Sequence, residues 1–226
     1  MYSKFENFMK KYLAPLADKM DKEVHLSAVK KAMVAMTPLL IIGSFCLIPE
    51  AIPNMIGEKH VISQWILTNL DIIYIPYNVG MALMSVYVTV IIAYQLANSY
   101  KLDIPGCVTM GLVSFLMLVV EFTEDGGISK TYLGPKGLFC AMFAGFVELF
   151  RWCKKKNFTI KMPDTVPDFV SRSFEMIPIS VIIIGFFLIV RIVCVNVLNT
   201  MPPLIFTAIF APLVGSMDNP IAYTFL

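Results

Sequence analysis

Asn78, Gln95, Asn98, Glu148 and Arg191 interrupt the apolar runs of this sequence. Polar groups of this kind are costly in hydrocarbon and need partners. Two readings are open. They could face a wet substrate cavity between two membrane blocks, with Asn78, Glu148 and Arg191 as the substrate-binding candidates. Alternatively, they could hydrogen-bond between helices, with the long arginine snorkelling to the headgroups. The second reading is favoured. The remaining reactive residues form no catalytic set. Cys46, Cys107, Cys140, Cys153 and Cys194 lie scattered in apolar runs with no C-x-x-C pair, as small buried residues do. His25 and His60 read as surface histidines. Asp125-Gly126-Gly127 reads as a turn rather than a calcium loop. No nucleophile–base pair, metal-ligand spacing or phosphate-cradling glycine loop is visible, so neither a cofactor nor a catalytic residue is expected.

The elements that carry these groups are built for a bilayer. Of 226 residues, 58% are hydrophobic and only 15% are charged. A soluble domain of this length carries about 25% charged residues. The mean hydropathy is +0.74. A net charge of +2 is too small to imply nucleic acid. The lysine-rich opening does not read as a signal peptide.

A helical span needs about 20 apolar residues. The first expected span is the charge-free run between Lys31 and Glu50, with Pro38 kinking it. The second is the long run between Asp71 and Lys101. The third lies between Asp103 and Glu121, with Pro105 in its first turn. The fourth, "GPKGLFCAMFAGFVELFRW", is weaker because it contains Glu148. A central carboxylate costs about 2.5–3.5 kcal/mol on insertion scales, roughly what its Leu, Phe and Val residues return. Arg151, one turn away, lowers that cost. The fifth begins at Ile177 and holds Arg191 near its far end. Beyond it, Pro202, Pro203, Pro212 and Pro220 break up an apolar tail that suits an interfacial or re-entrant segment.

Lys4, Lys10, Lys11, Lys19, Lys22, Lys30, Lys31, Lys101, Arg151, Lys154, Lys155, Lys156, Lys161 and Arg172 fall on one side of this arrangement. Lys59, Lys130 and Lys136 fall on the other. The bias places the N-terminus in the cytoplasm. Two segments read as interfacial helices: "YSKFENFMKKYLAPL" inside, and "VISQWILTNL" outside with Trp65 as its anchor.

One polar passage remains, "KMPDTVPDFVSRSFEMIPIS". Thr165 to Asp168 fits a capping pattern. Phe169, Val170, Phe174 and Ile177 share one helical face, opposite Asp168, Ser171, Arg172 and Glu175. Pro178 allows a sharp change of direction. The passage reads as a short helix lying flat on the membrane, hinged by proline at both ends, either an ordinary linker or a joint between moving blocks. The expected organisation is therefore all-α and integral to the membrane, with about five spans plus interfacial helices. Its parts are a cytoplasmic arm at 1–30, spans one to four at 31–160, a linker helix at 161–178, the fifth span at 179–200, and a further segment at 201–226.

"MPDTVPDFVSRSFEMIP" strongly resembles the cytoplasmic loop of the membrane-spanning IIC component of the bacterial phosphoenolpyruvate-dependent sugar phosphotransferase system, of the lactose/cellobiose/diacetylchitobiose type. "AVKKAMVAMTPLLIIGSF", "NVGMALMSVYVTVIIAYQLANSYKLD" and "LGPKGLFCAMFAG" are similar to the same family in the same order. The resemblance implies a homodimer in the bacterial cell membrane, with about ten spans per protomer, the first five making the dimer scaffold. It also implies that a second half binds the sugar, a lactose- or cellobiose-like disaccharide, and that a soluble IIB partner phosphorylates it from a phosphocysteine. That half would carry a Gly-Ile-His-Gly motif and a later glutamate. Neither is present here, and 201–226 corresponds to the start of the incomplete transport domain. The chain therefore reads as the scaffold half of such a permease, with a non-transporting dimerisation fragment as the alternative.

Overall fold

The computed structural model describes residues 22–57, 59–123, 126–145, 147–158, 160 and 167–215. The N-terminal interfacial helix and Thr165 of the capping pattern lie outside them. The described chain is helical, apart from an isolated antiparallel bridge between Phe122 and Ile128 in the Gly126–Gly127 turn.

The helices are α1 (Val24–Phe45), α2 (Ile48–Ile56), α3 (Val61–Thr68), α4 (Leu70–Ile73) and α5 (Ile75–Val79). They continue as α6 (Met84–Ser99), α7 (Ile104–Val119), α8 (Leu138–Gly145), α9 (Glu148–Lys155), α10 (Asp168–Ile192) and α11 (Pro202–Gly215). Among the described residues, three stretches are long and apolar enough to cross a membrane: Val24–Ile56, Ile75–Ser99 and Phe174–Val197.

The other two expected spans are shorter. α7 has 16 residues, about 24 Å of helix against about 30 Å of hydrocarbon. The expected fourth span is divided between α8 and α9, with eight residues each. α9 is amphipathic: Phe150 and Cys153 are buried, while Arg151, Lys155 and Lys156 are exposed. Its polar face cannot continue the apolar surface of α8, so Glu148, expected near the basic end of a single span, opens a separate helix.

α6 is the centre of the bundle. Val88, Ile92, Ala93, Leu96 and Ala97 are fully buried against α1, α7 and α8. The contact with α8 is close because Gly145 has no side chain. A Cβ there would sit 3.1 Å from the Ile92 side chain and 3.2 Å from the Thr89 carbonyl oxygen. Small residues at such crossings let backbones approach, which is how membrane helices gain packing energy. The loop before α8 is pinned to α6: the Ser85 hydroxyl donates to the Gly134 carbonyl at 2.6 Å, and the Ser85 amide donates to the Leu133 carbonyl at 3.0 Å.

Local signals explain the ends. Asp103 caps α7 by accepting from the Gly106 amide at 2.9 Å, with Pro105 in the first turn. Two helices continue through a proline. α1 runs through Pro38, and α10 runs unbroken through Pro178 for 25 residues. The linker segment from Asp168 and the fifth span thus share one helix, with no hinge at Pro178. A transmembrane proline is tolerated where neighbouring groups and small backbone adjustments replace the lost hydrogen bond. α11, the described part of the tail, packs on α8, with Phe210 stacked on Phe139 and Phe206 against Phe143, both at 4.8 Å between ring centroids.

Candidate functional site

The sequence candidates are not gathered into one site. Asn78, on α5, and Asn98, near the end of α6, are exposed. Glu148 sits where α6 ends and α7 begins, whereas Arg191 sits beyond the other end of α7. The length of α7 separates them by about 24 Å.

Arg191 has a specific partner set. Its Nη1 donates to the Met117 carbonyl and its Nη2 to the Val120 carbonyl, each at 2.6 Å. The last carbonyls of a helix have no intrahelical donor and carry the negative end of its dipole. A two-pronged guanidinium from α10 satisfies two of them. This role is interhelical, where the sequence reading has the side chain snorkelling to the headgroups.

Glu148 anchors a junction of three helix ends. Its Oε1 lies 2.8 Å from His25 Nε2 at the start of α1, and its Oε2 accepts from Arg151 at 3.4 Å. Tyr100, capping α6, lies 3.4 Å from the same His25 nitrogen, and the Arg151 guanidinium stacks over its ring at 4.0 Å. Burial pulls the Glu148 carboxyl upward, but hydrogen bonds from Tyr100 and His25 and the charges of His25 and Arg151 outweigh it, so its pKa lies below the ordinary carboxylate value. The Tyr100 hydroxyl is pushed up to about 12, first by burial and then by its bond to Glu148. His25, expected at the surface, is instead half-buried in this junction. Nothing in the spacing of His25 and Glu148, 123 residues apart, announces the pair.

Next to the junction, Lys154 of α9 bonds Glu175 of α10 at 3.1 Å. With Lys101, Asp103, Pro105 and Met176 they line an open cleft of about 540 Å³. The ends of α1, α6, α9 and α10 thus meet at one pole of the bundle, where Lys22, Lys30, Lys31, Lys101, Arg151, Lys154, Lys155 and Lys156 are concentrated. Among the described residues there is no group of three or more metal-ligating side chains. Chemically, the described residues of this pole can bind anions and tie helices together.

Comparison with known proteins gives the arrangement its family. Residues 30–226 match the family described as Phosphotransferase system, EIIC. The cellobiose-specific EIIC component of Geobacillus stearothermophilus is 32% identical over 80% of this chain and 44% of its own length. The lactose-specific EIICB component of Staphylococcus epidermidis is 29% identical over 94% of this chain and 37% of its own. The crystal structure of ChbC, the IIC component of the N,N'-diacetylchitobiose-specific phosphotransferase system, superposes with a TM-score of 0.71 at 26% identity, covering 91% of this chain and 51% of that one. The chain therefore spans about half the length of these relatives or less. The long apolar helices, the order of the elements and these matches together show that this chain belongs to the EIIC family of the phosphotransferase system, as an all-helical integral membrane protein.

Proposed function

We propose that this chain supplies the scaffold portion of a sugar-translocating IIC permease for a disaccharide of the cellobiose, lactose or diacetylchitobiose kind. Substrate binding belongs to residues outside it, and phosphoryl transfer belongs to a soluble IIB partner. The observation that carries this reading is the near-complete overlap of the chain with half of a solved IIC transporter. The polar candidates support it, because Glu148 and Arg191 are used up in ties between helices. In this reading the scaffold inserts into the bacterial cell membrane with its lysine-rich pole and N-terminus in the cytoplasm, and it assembles as a homodimer. The apolar side chains exposed along α1 and α10, among them Val34, Ile41, Val181 and Ile189, face lipid or the second copy. The segments 31–160 and 179–200 form the scaffold, and 201–226 begins the transport domain.

The test is complementation. This chain is co-expressed with the remaining half of a cellobiose-specific EIIC and its IIB, and phosphoenolpyruvate-dependent uptake of labelled cellobiose is measured. Neither half alone should transport, and the pair should. Uptake by this chain alone would place a sugar site inside it and overturn the reading. So would a co-purifying pair that does not transport.

A further inference from the structure

We propose that the cavity between the lysine-bearing start of α1 and the polar end of α6 binds the phosphate of an anionic phospholipid headgroup. The cavity, about 200 Å³, is lined by Lys22, Ser27 and Lys31 from one side and Gln95 and Ser99 from the other, with Val24 and Ala28 as its apolar floor. Among the described residues, two lysines and no carboxylate line it, so their field favours an anion. Its donors are unspent. Among the described residues no ion pair occupies Lys22 or Lys31, and no hydrogen bond occupies the Ser27 hydroxyl or the Gln95 amide. Ser99 donates to the Gln95 carbonyl at 2.8 Å, which holds that wall in place. Among the described residues, the acidic neighbour Glu23 does not line the cavity, and its charge acts on Tyr100.

The position points to a lipid as the source of that phosphate. Lys31 ends the polar part of α1 just before its charge-free run, and Gln95 is one turn from the end of the apolar part of α6. Helical spacing carries the same two faces onward to Val34 and Ile91, an apolar track on which acyl chains can lie. Val34 is exposed. A basic pocket between membrane helices at the headgroup level has the geometry that holds a phospholipid head. The inference rests on the membrane-spanning helices and does not depend on the transport reading.

The full chain in neutral detergent is titrated with dioctanoyl phosphatidylglycerol, dioctanoyl phosphatidylcholine or inorganic phosphate. Native mass spectrometry reads bound lipid, and the thermal midpoint reports folding. Phosphatidylglycerol should bind and raise the midpoint more than phosphatidylcholine. K22Q with K31Q should weaken its binding about tenfold or more, while K22R with K31R should retain it. K155Q with K156Q removes equal charge from exposed positions of the same pole and should leave binding within about twofold. Unchanged binding in K22Q/K31Q, or an equal loss in K155Q/K156Q, would overturn the proposal. Inorganic phosphate that displaces the lipid at equal concentration would reassign the site to free phosphate and overturn the lipid assignment. Failure to displace it supports the lipid.

Discussion

At Glu148, burial and charge pull the carboxyl in opposite directions, and charge prevails. A carboxyl whose folded pKa is lowered contributes stability above its unfolded value, about 4.3, and that stability is lost as pH falls through the folded value. The thermal midpoint of the detergent-solubilised chain should therefore drop as pH falls below about 4. E148Q should lower the midpoint at pH 7 and flatten part of that acid dependence. An unchanged acid profile would mean that the junction with His25, Tyr100 and Arg151 does not hold the helix ends. Arg191 makes the matching case at the other pole. R191L leaves the Met117 and Val120 carbonyls without their donors, and should cost about 1–3 kcal/mol. R191K, with a single point of charge, should recover only part of that. Equal midpoints for R191L and the native chain would show that these bonds add nothing. Both residues were visible in the sequence as polar groups in apolar surroundings, but their partners were not. The His25–Glu148 pair and the Arg191 carbonyl clamp join positions more than seventy residues apart, and periodicity encodes faces rather than long-range partners.

Among the elements, length and charge made the long helices legible. Charge-free runs ending at Glu50 and Lys101 correspond to the helical stretches Val24–Ile56 and Ile75–Ser99. The division of the fourth expected span was harder to see, because hydropathy sums over Glu148 without registering that Arg151, Lys154 and Lys155 turn the following residues into an amphipathic helix. Pro178 was overread. Its residue type suggests a hinge, yet the helix continues through it. P178A restores one backbone donor inside a continuous helix, so the midpoint should stay level or rise, by up to about 3 kcal/mol of stability. A clear loss of stability would restore a structural role to the proline. The α6–α8 crossing depends on Gly145. G145A should cost about 1–3 kcal/mol through its contacts with Ile92 and the Thr89 carbonyl, and G145L should prevent the helices from seating at all. Size-exclusion profiles and thermal midpoints check both, and a well-folded G145L would contradict this packing.

For the whole molecule, four helix ends and most of the described basic residues lie at one pole, while Lys59, Lys130 and Lys136 belong to segments expected at the other. That segregation is what a positive-inside bilayer protein requires, and under the proposed function it turns the basic pole toward the compartment in which a IIB partner would work. The topology can be read directly. Cysteines are introduced singly as K155C and K59C, in a background where partly exposed Cys46 is replaced by serine and the four buried cysteines are left in place. Intact cells are treated with a membrane-impermeant maleimide. The expected result is labelling of K59C from outside, and labelling of K155C only after the membrane is opened. Labelling of K155C on intact cells would contradict the inward basic pole, and with it the permease scaffold proposed for this chain.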